Sequence, residues 1–172
     1  MIAIFLSLLT IFILSIFVGY LTNGETIKPI LEEFTKITKL DPLTLAVIIF
    51  ANNSFKSFLA LILGSFFGIF PITFVITNGY ILGAVIALKK DIGLSKILLA
   101  ILPHGIIEIP AVLIASSYGV FLGYRFFLRI FRKQAFKPHL VRALKVYFKI
   151  VLPMLLVAAL IEAFITPVLI RM

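Results

Sequence analysis

The chain alternates long apolar runs with short polar segments, and this pattern predicts the helices of a membrane protein. A helix needs about 18 to 20 apolar residues to cross a bilayer. Five runs reach that length, at about 1–21, 43–67, 71–88, 106–127 and 150–170. The apolar run at 94–103 is too short, roughly 15 Å as a helix. We therefore expect a re-entrant half-helix there, leading into the fourth span.

Two further segments predict amphipathic helices. Residues 26–40 and 128–149 each place apolar side chains at helical spacing on one face and charged side chains on another. Such helices lie on a membrane surface or on the outside of a bundle. Asp41-Pro42 follows the first of them and is a strong helix start, because aspartate caps the first turn and proline fits within it.

The composition supports this membrane interpretation. The chain has 172 residues, of which 62% are hydrophobic and 13% charged. A soluble domain of this size cannot hide so much apolar surface. We predict an all-α, polytopic helical membrane protein with a single membrane domain over 1–172. The opening residues lack the basic region and cleavage site of a signal peptide, so the first run is expected to remain as a span.

The basic residues are concentrated in one place. Segment 125–149 holds eight of the 16 lysines and arginines and no acidic residue. This distribution argues against nucleic acid as a partner, and the positive-inside rule predicts a cytoplasmic segment 125–149 with the N-terminus inside. We expect anionic lipid headgroups to bind this segment. The expected contacts are Arg129, Arg132, Lys133, Arg142, Lys145 and Lys149.

Glycines at four-residue spacing occur in three of the spans. The pairs are Gly64/Gly68, Gly79/Gly83 and Gly119/Gly123. In a membrane such pairs let helix backbones approach closely. They predict tight packing within the bundle, or, as the alternative, a dimer face.

Several polar and ionisable side chains interrupt the apolar runs and are expected to form one buried polar site. They are Asn53, Lys56, Asn78, His104, Glu108 and Glu162. Charges inside a membrane are costly and usually serve a purpose. One interpretation is a structural lock that holds the spans in register. A second is a path for protons or cations that uses Glu108 and Glu162.

A third interpretation is metal chemistry. His104 and Glu108 are four residues apart and could share a helix face, and Glu162 could complete a site of one histidine and two carboxylates. The chain has no HExxH motif, and its lack of cysteine excludes thiolate ligands and cysteine nucleophiles. No serine is paired with a base in a recognisable pattern. We therefore predict no enzyme activity and assign no metal and no cofactor.

Three motifs together resemble a known family. They are Asn78-Gly79-x-x-x-Gly83, Pro103-His104-Gly105-x-x-Glu108 and Ile161-Glu162-Ala163-Phe164-Ile165-Thr166-Pro167. Over about 45–168 the chain is similar to the stage II sporulation protein M family of integral membrane proteins. The resemblance implies that Asn53, Asn78, His104, Glu108 and Glu162 belong to one site.

The resemblance also implies a role. In spore-forming bacteria the namesake belongs to a membrane complex with a cell-wall hydrolase during engulfment of the forespore, where it is thought to act as a scaffold without enzymatic activity. We therefore expect a membrane scaffold or complex subunit that contacts lipid, a second copy of itself or other membrane proteins. The alternative is a small, dimeric transporter or channel for protons or cations.

Overall fold

Helices account for nearly all of the structure, and no strand occurs among the residues that it describes. The computed structural model describes residues 1–22, 24, 27–29 and 40–171. The first four α-helices are α1 (Ile2–Leu21), α2 (Pro42–Leu63), α3 (Ile69–Leu88) and α4 (Leu94–Arg132). A short 3-10 turn, Lys90–Ile92, joins α3 to α4.

Residues 137–171 form one continuous helical segment with two π turns. It consists of α5 (Lys137–Val146), a π turn (Tyr147–Val151), α6 (Leu152–Leu160), a second π turn (Ile161–Ile165) and α7 (Thr166–Arg171).

The predicted fold class is confirmed. Within the described ranges, five helical stretches are long and apolar enough to cross a membrane. They are Ile2–Leu21, Pro42–Leu63, Ile69–Leu88, Ser95–Arg132 and Lys137–Leu169. The chain is an all-α, polytopic membrane protein. Most of the predicted amphipathic helix at 26–40 lies outside the described residues.

The predicted break before the fourth span was wrong. α4 runs without interruption through Pro103 and Pro110, so the expected half-helix at 94–103 and the span at 106–127 are one helix. Each proline removes one backbone donor. Neighbouring helices and side chains compensate for such losses within membrane bundles, and the helix therefore continues. At 39 residues, α4 is about 58 Å long, roughly twice the hydrocarbon thickness of a bilayer.

The amphipathic segment predicted at 128–149 is also not a separate element. Its first residues end α4, and after a four-residue connection α5 begins at Lys137 and passes through the π turn into α6. Because no helix boundary separates α5 from the fifth span, the segment forms the tip of a hairpin between the two longest helical stretches. We call residues 125–149 the basic hairpin.

The glycines bring two pairs of helices into backbone contact. α2 and α4 run parallel, with Gly64 against Gly119 and the Ala60 carbonyl against Gly119. α1 and α3 also run parallel, and Gly79 and Gly83 pack on the α1 backbone. These glycines therefore serve contacts within one chain.

Gly68 has a different role from the one expected. It is not inside a helix, because α2 ends at Leu63 and Gly68 is the N-cap of α3 with a φ of 74°. That left-handed conformation favours glycine, so Gly68 makes the sharp turn between α2 and α3.

The hydrophobic core follows α4. On one side Val112 and Ala115 pack with residues of α2, α5 and α6, including Leu61 and Leu155. On the other side Leu113 packs with residues of α1 and α3. α4 is thus the central helix of the described bundle.

Candidate functional site

His104, Glu108 and Glu162 form a cluster inside the bundle. One ligand atom of each side chain lies within 4.8 Å of the ligand atoms of the other two. All three residues are partly buried. His104 and Glu108 come from the first half of α4, where their spacing of four residues puts them on one helix face. Glu162 comes from the second π turn, so the cluster joins two distant parts of the sequence.

The π turn that carries Glu162 has an identifiable cause. Pro167 follows it and has no N–H to donate to the Ala163 carbonyl, which disrupts the regular α-helical ladder. The Thr166 hydroxyl instead donates to the Ile161 carbonyl oxygen at 3.3 Å. The first π turn, Tyr147–Val151, likewise precedes a proline, Pro153. π turns are rare in proteins overall, and those that do occur are often found at functional sites.

Neither π turn was predicted from the sequence. The available signal was Pro153 and Pro167, each two residues beyond the end of its π turn.

The two carboxylates of the cluster lack a compensating charge. In the part of the chain that the structure describes, no lysine or arginine forms an ion pair with Glu108 or Glu162, and neither carboxylate accepts a hydrogen bond. Two like charges this close repel each other, and the repulsion is strong where little water screens it.

His104 is also incompletely satisfied. Its Nδ1 atom is buried and has no hydrogen-bond partner. Buried polar atoms in native proteins almost always have a partner, so an orphaned one calls for an explanation. The cluster therefore has two carboxyl groups without an ion-pair partner and an imidazole nitrogen without a hydrogen bond.

Lys56 does not belong to the buried polar site. Its side chain is exposed, and it occupies a different face of α2 from the buried Ser57. Neighbouring residues on a helix point about 100° apart, so Ser57 faces the bundle and Lys56 cannot. Because its side chain is exposed, Lys56 is not a counter-ion for Glu108 or Glu162.

The two asparagines make their hydrogen bonds outside the cluster. Asn53 is partly buried and accepts a bond from Asn52 Nδ2 at 3.1 Å. Asn78 Nδ2 donates to the Phe74 carbonyl of its own helix at 2.7 Å. Of the six residues predicted for one polar site, the structure thus brings together the histidine and the two glutamates.

The arrangement of α2 explains the position of Asn53. Residues near the start of α2, including Ala46 and Ile49, pack with Ala159 and Ala163. Glu162 therefore lies beside that end of α2, and Asn53 lies about one helical turn further along.

The second candidate surface is the basic hairpin. All six residues expected to contact lipid are exposed on it: Arg129, Arg132, Lys133, Arg142, Lys145 and Lys149. α4 continues past its contact with the α2–α3 turn at Gly123 for nine more residues, about 13 Å. The hairpin thus projects beyond that turn.

Two partly buried residues, Arg125 and His139, connect the two arms of the hairpin. The Arg125 guanidinium contacts His139 Nε2, which ties the end of α4 to the start of α5. Phe121 packs edge-on against the His139 ring, with centroids 5.5 Å apart. Arg125 also lies over the Phe121 ring at 5.9 Å from its centroid, a favourable cation–π arrangement.

Comparison with known proteins gives a family and one relative. The family model described as Stage II sporulation protein M matches residues 3–167. An uncharacterised protein of Methanocaldococcus jannaschii is 32% identical over 120 residues, which cover 67% of this chain and 53% of the relative. The chain thus spans about half the length of that relative. No solved structure matches the chain.

Proposed function

The chain belongs to the stage II sporulation protein M family, and we propose that it acts as a scaffold or complex subunit in the cell membrane. The observation that carries the proposal is the basic hairpin, which offers six exposed cationic side chains on one projecting element. Such a surface suits docking to anionic headgroups and to acidic faces of proteins.

The packing of the bundle supports the same role. Backbone contacts at Gly119 and Gly83 lock α2 to α4 and α1 to α3. Close contacts of this kind maximise dispersion between helices, and moving the helices apart would forfeit it. A stiff body with one projecting docking element is what a scaffold needs.

We place the hairpin and the N-terminus in the cytoplasm. The concentration of eight basic residues in 125–149 supports this orientation through the positive-inside rule. The partners that we propose are anionic lipid headgroups together with a second copy of the chain or another membrane protein.

Purification from the native membrane tests the scaffold. We expect the full chain, extracted in mild detergent, to carry a partner protein in fixed stoichiometry. Replacing Arg129, Arg132 and Lys133 by glutamine should release that partner. The matched control replaces Lys89, Lys90 and Lys96, three exposed lysines at the opposite end of α4, and should retain it. A wild-type chain that purifies alone from native membranes contradicts the scaffold.

A second candidate function is proton- or cation-coupled transport. The convergence of Glu108 and Glu162 favours it, because carboxylates without an ion-pair partner inside a bundle are a usual element of ion pathways. In this case liposomes that contain the wild-type protein should show a proton or cation flux, and the Glu108→Gln substitution should abolish that flux. No flux above that of protein-free liposomes would eliminate transport.

A further inference from the structure

We propose that His104, Glu108 and Glu162 bind a divalent first-row transition metal ion that links α4 to the second π turn. This metal site does not depend on the scaffold role, and it differs from a transport path because the ion is held rather than passed on.

The ligand atoms of His104, Glu108 and Glu162 are close enough together to bind a single ion. Bonds from zinc to histidine nitrogen and carboxylate oxygen are about 2.0–2.2 Å long, so two ligands of one ion lie up to about 4 Å apart. The candidate ligand atoms are all within 4.8 Å of one another. Closing the difference requires only small rotations about the side-chain bonds of the two glutamates. The His104–Glu108 spacing of four residues places both ligands on one face of α4.

The charge also fits. Burying two carboxylates in apolar surroundings is costly unless they are paired or bind a metal. The described residues provide no ion pair to Glu108 or Glu162, and Lys56 is exposed. One divalent ion would neutralise both carboxylates and turn their repulsion into a shared attraction.

The imidazole decides which class of ion binds. Calcium and magnesium prefer oxygen ligands, whereas imidazole suits zinc, iron and related ions. His104 contributes one ring nitrogen to the cluster, and its Nδ1 is buried without a hydrogen-bond partner. One nitrogen with two carboxylates therefore favours a first-row transition metal such as Zn²⁺ or Mn²⁺.

The three side chains leave a coordination position open. Structural zinc sites usually have four protein ligands, and sites with three bind water or another molecule at the fourth position. The proposed site would therefore hold one exchangeable ligand on the ion, between α4 and the segment that contains α6 and α7.

Metal retention by the purified full chain tests the proposal. The tag-free protein in nanodiscs is stripped with a chelator, incubated with Zn²⁺ or Mn²⁺, desalted and analysed by mass spectrometry of the metal. We expect about one ion per chain, in line with the one such cluster found among the described residues. His104→Ala, Glu108→Gln and Glu162→Gln should each weaken the affinity at least tenfold. His139→Ala, which removes the other histidine of the chain, should leave it unchanged.

A thermal measurement guards against variants that fail to fold. Glu108→Gln preserves side-chain volume, and its helix content and elution volume show whether it is folded. Zn²⁺ should raise the unfolding midpoint of the wild type and leave that of Glu108→Gln where it is. Two results would overturn the site. One is a wild type that retains no more metal than Glu108→Gln. The other is a His139→Ala variant that loses as much metal as the variants of the three proposed ligands. Equal competition by Ca²⁺ or Mg²⁺ overturns the proposed class of ion.

Discussion

The Tyr147 hydroxyl donates a hydrogen bond to the Ser54 carbonyl oxygen at 2.7 Å. This bond crosses from the first π turn to the middle of α2 and fixes the register of the two antiparallel helices. Tyr147 is only 2% exposed, and its ring packs edge-on against Phe58 with centroids 5.3 Å apart. The π turn thus positions a tyrosine that joins two spans.

Tyr147→Phe should destabilise the protein by about 1 kcal/mol, because hydrogen bonds between membrane helices contribute in that range. Unfolding in detergent, followed by circular dichroism against denaturant, measures the change. Tyr124→Phe is the matched control, since Tyr124 is exposed and its hydroxyl makes no hydrogen bond among the described residues. Equal effects of the two variants would show that the Ser54 bond contributes nothing specific.

Gly119→Ala should be far more harmful than Gly105→Ala. A Cβ on Gly119 would overlap the Ala60 carbonyl of α2, which belongs to backbone and cannot move aside. Forcing extra volume into such a contact costs about 1–3 kcal/mol. A Cβ on Gly105 would meet only Ile101 and Ile109 side-chain atoms at 3.6 and 3.7 Å. Thermal unfolding of both variants checks the order, and a neutral Gly119→Ala would contradict the close α2–α4 contact.

The absence of cysteine allows a direct test of orientation. With the hairpin in the cytoplasm, Gln134→Cys should react with a membrane-impermeant maleimide only after intact cells are opened. Asp91→Cys, in the turn before α4 and exposed, should react from outside. The two labels lie at opposite ends of α4, so a reversed pattern would reverse the proposed topology.

The basic hairpin should select anionic lipid. Each lysine or arginine near a charged membrane surface contributes about 1 kcal/mol. Arg142→Gln combined with Lys145→Gln should therefore reduce the number of phosphatidylglycerol molecules that stay bound in native mass spectrometry, and added salt should weaken the remainder. Lys89→Gln with Lys90→Gln, at the other end of the bundle, is the control. An unchanged lipid count in the hairpin variant would count against lipid binding there.

Asp41 should titrate below the usual aspartate range. The Thr44 hydroxyl, followed by the Thr44 backbone N–H, lowers the pKa of Asp41 from its ordinary value of 3.8. Because the folded pKa is depressed, the stabilisation of the α2 N-terminus is complete above the unfolded pKa and is lost as pH falls through the folded pKa. NMR titration of Asp41 should show this low pKa, and Thr44→Val should move it upwards. An Asp41 pKa at or above 3.8 in the wild type would contradict the cap.

Local signals in the sequence were enough to predict much of the fold. Asp41-Pro42 predicted a helix start, and α2 begins at Pro42 with the Asp41 carboxylate accepting from the Thr44 N–H at 3.0 Å. A cap depends only on neighbouring residues, so it can be read without the tertiary structure. The long apolar runs predicted five helical spans for the same reason, since the requirement is one of length and hydropathy.

Features that depend on neighbouring helices were harder to predict. The half-helix expected at 94–103 is part of the continuous α4, because the surroundings of α4 tolerate the donors that Pro103 and Pro110 lack. Lys56 was grouped with the buried residues, but its side chain is exposed. Its neighbour Ser57 faces the bundle, and the side chain of Lys56 therefore points to a different side of the helix. Glu162 was grouped with His104 and Glu108 only as a hypothesis, because a local pattern does not determine which distant segments pack together. Its approach to His104 and Glu108 depends on how the last helical segment packs against α4.

The length of α4 has a mechanical consequence. α2 holds this 39-residue helix at Gly119, which lies about 20 Å from His104 on one side and about 20 Å from Arg132 on the other. Leu113 packs on α1 and α3 in the same middle section of the helix. A force applied to the tip of the hairpin would therefore be transmitted through α4 to α1, α2 and α3 together, so the whole bundle resists it.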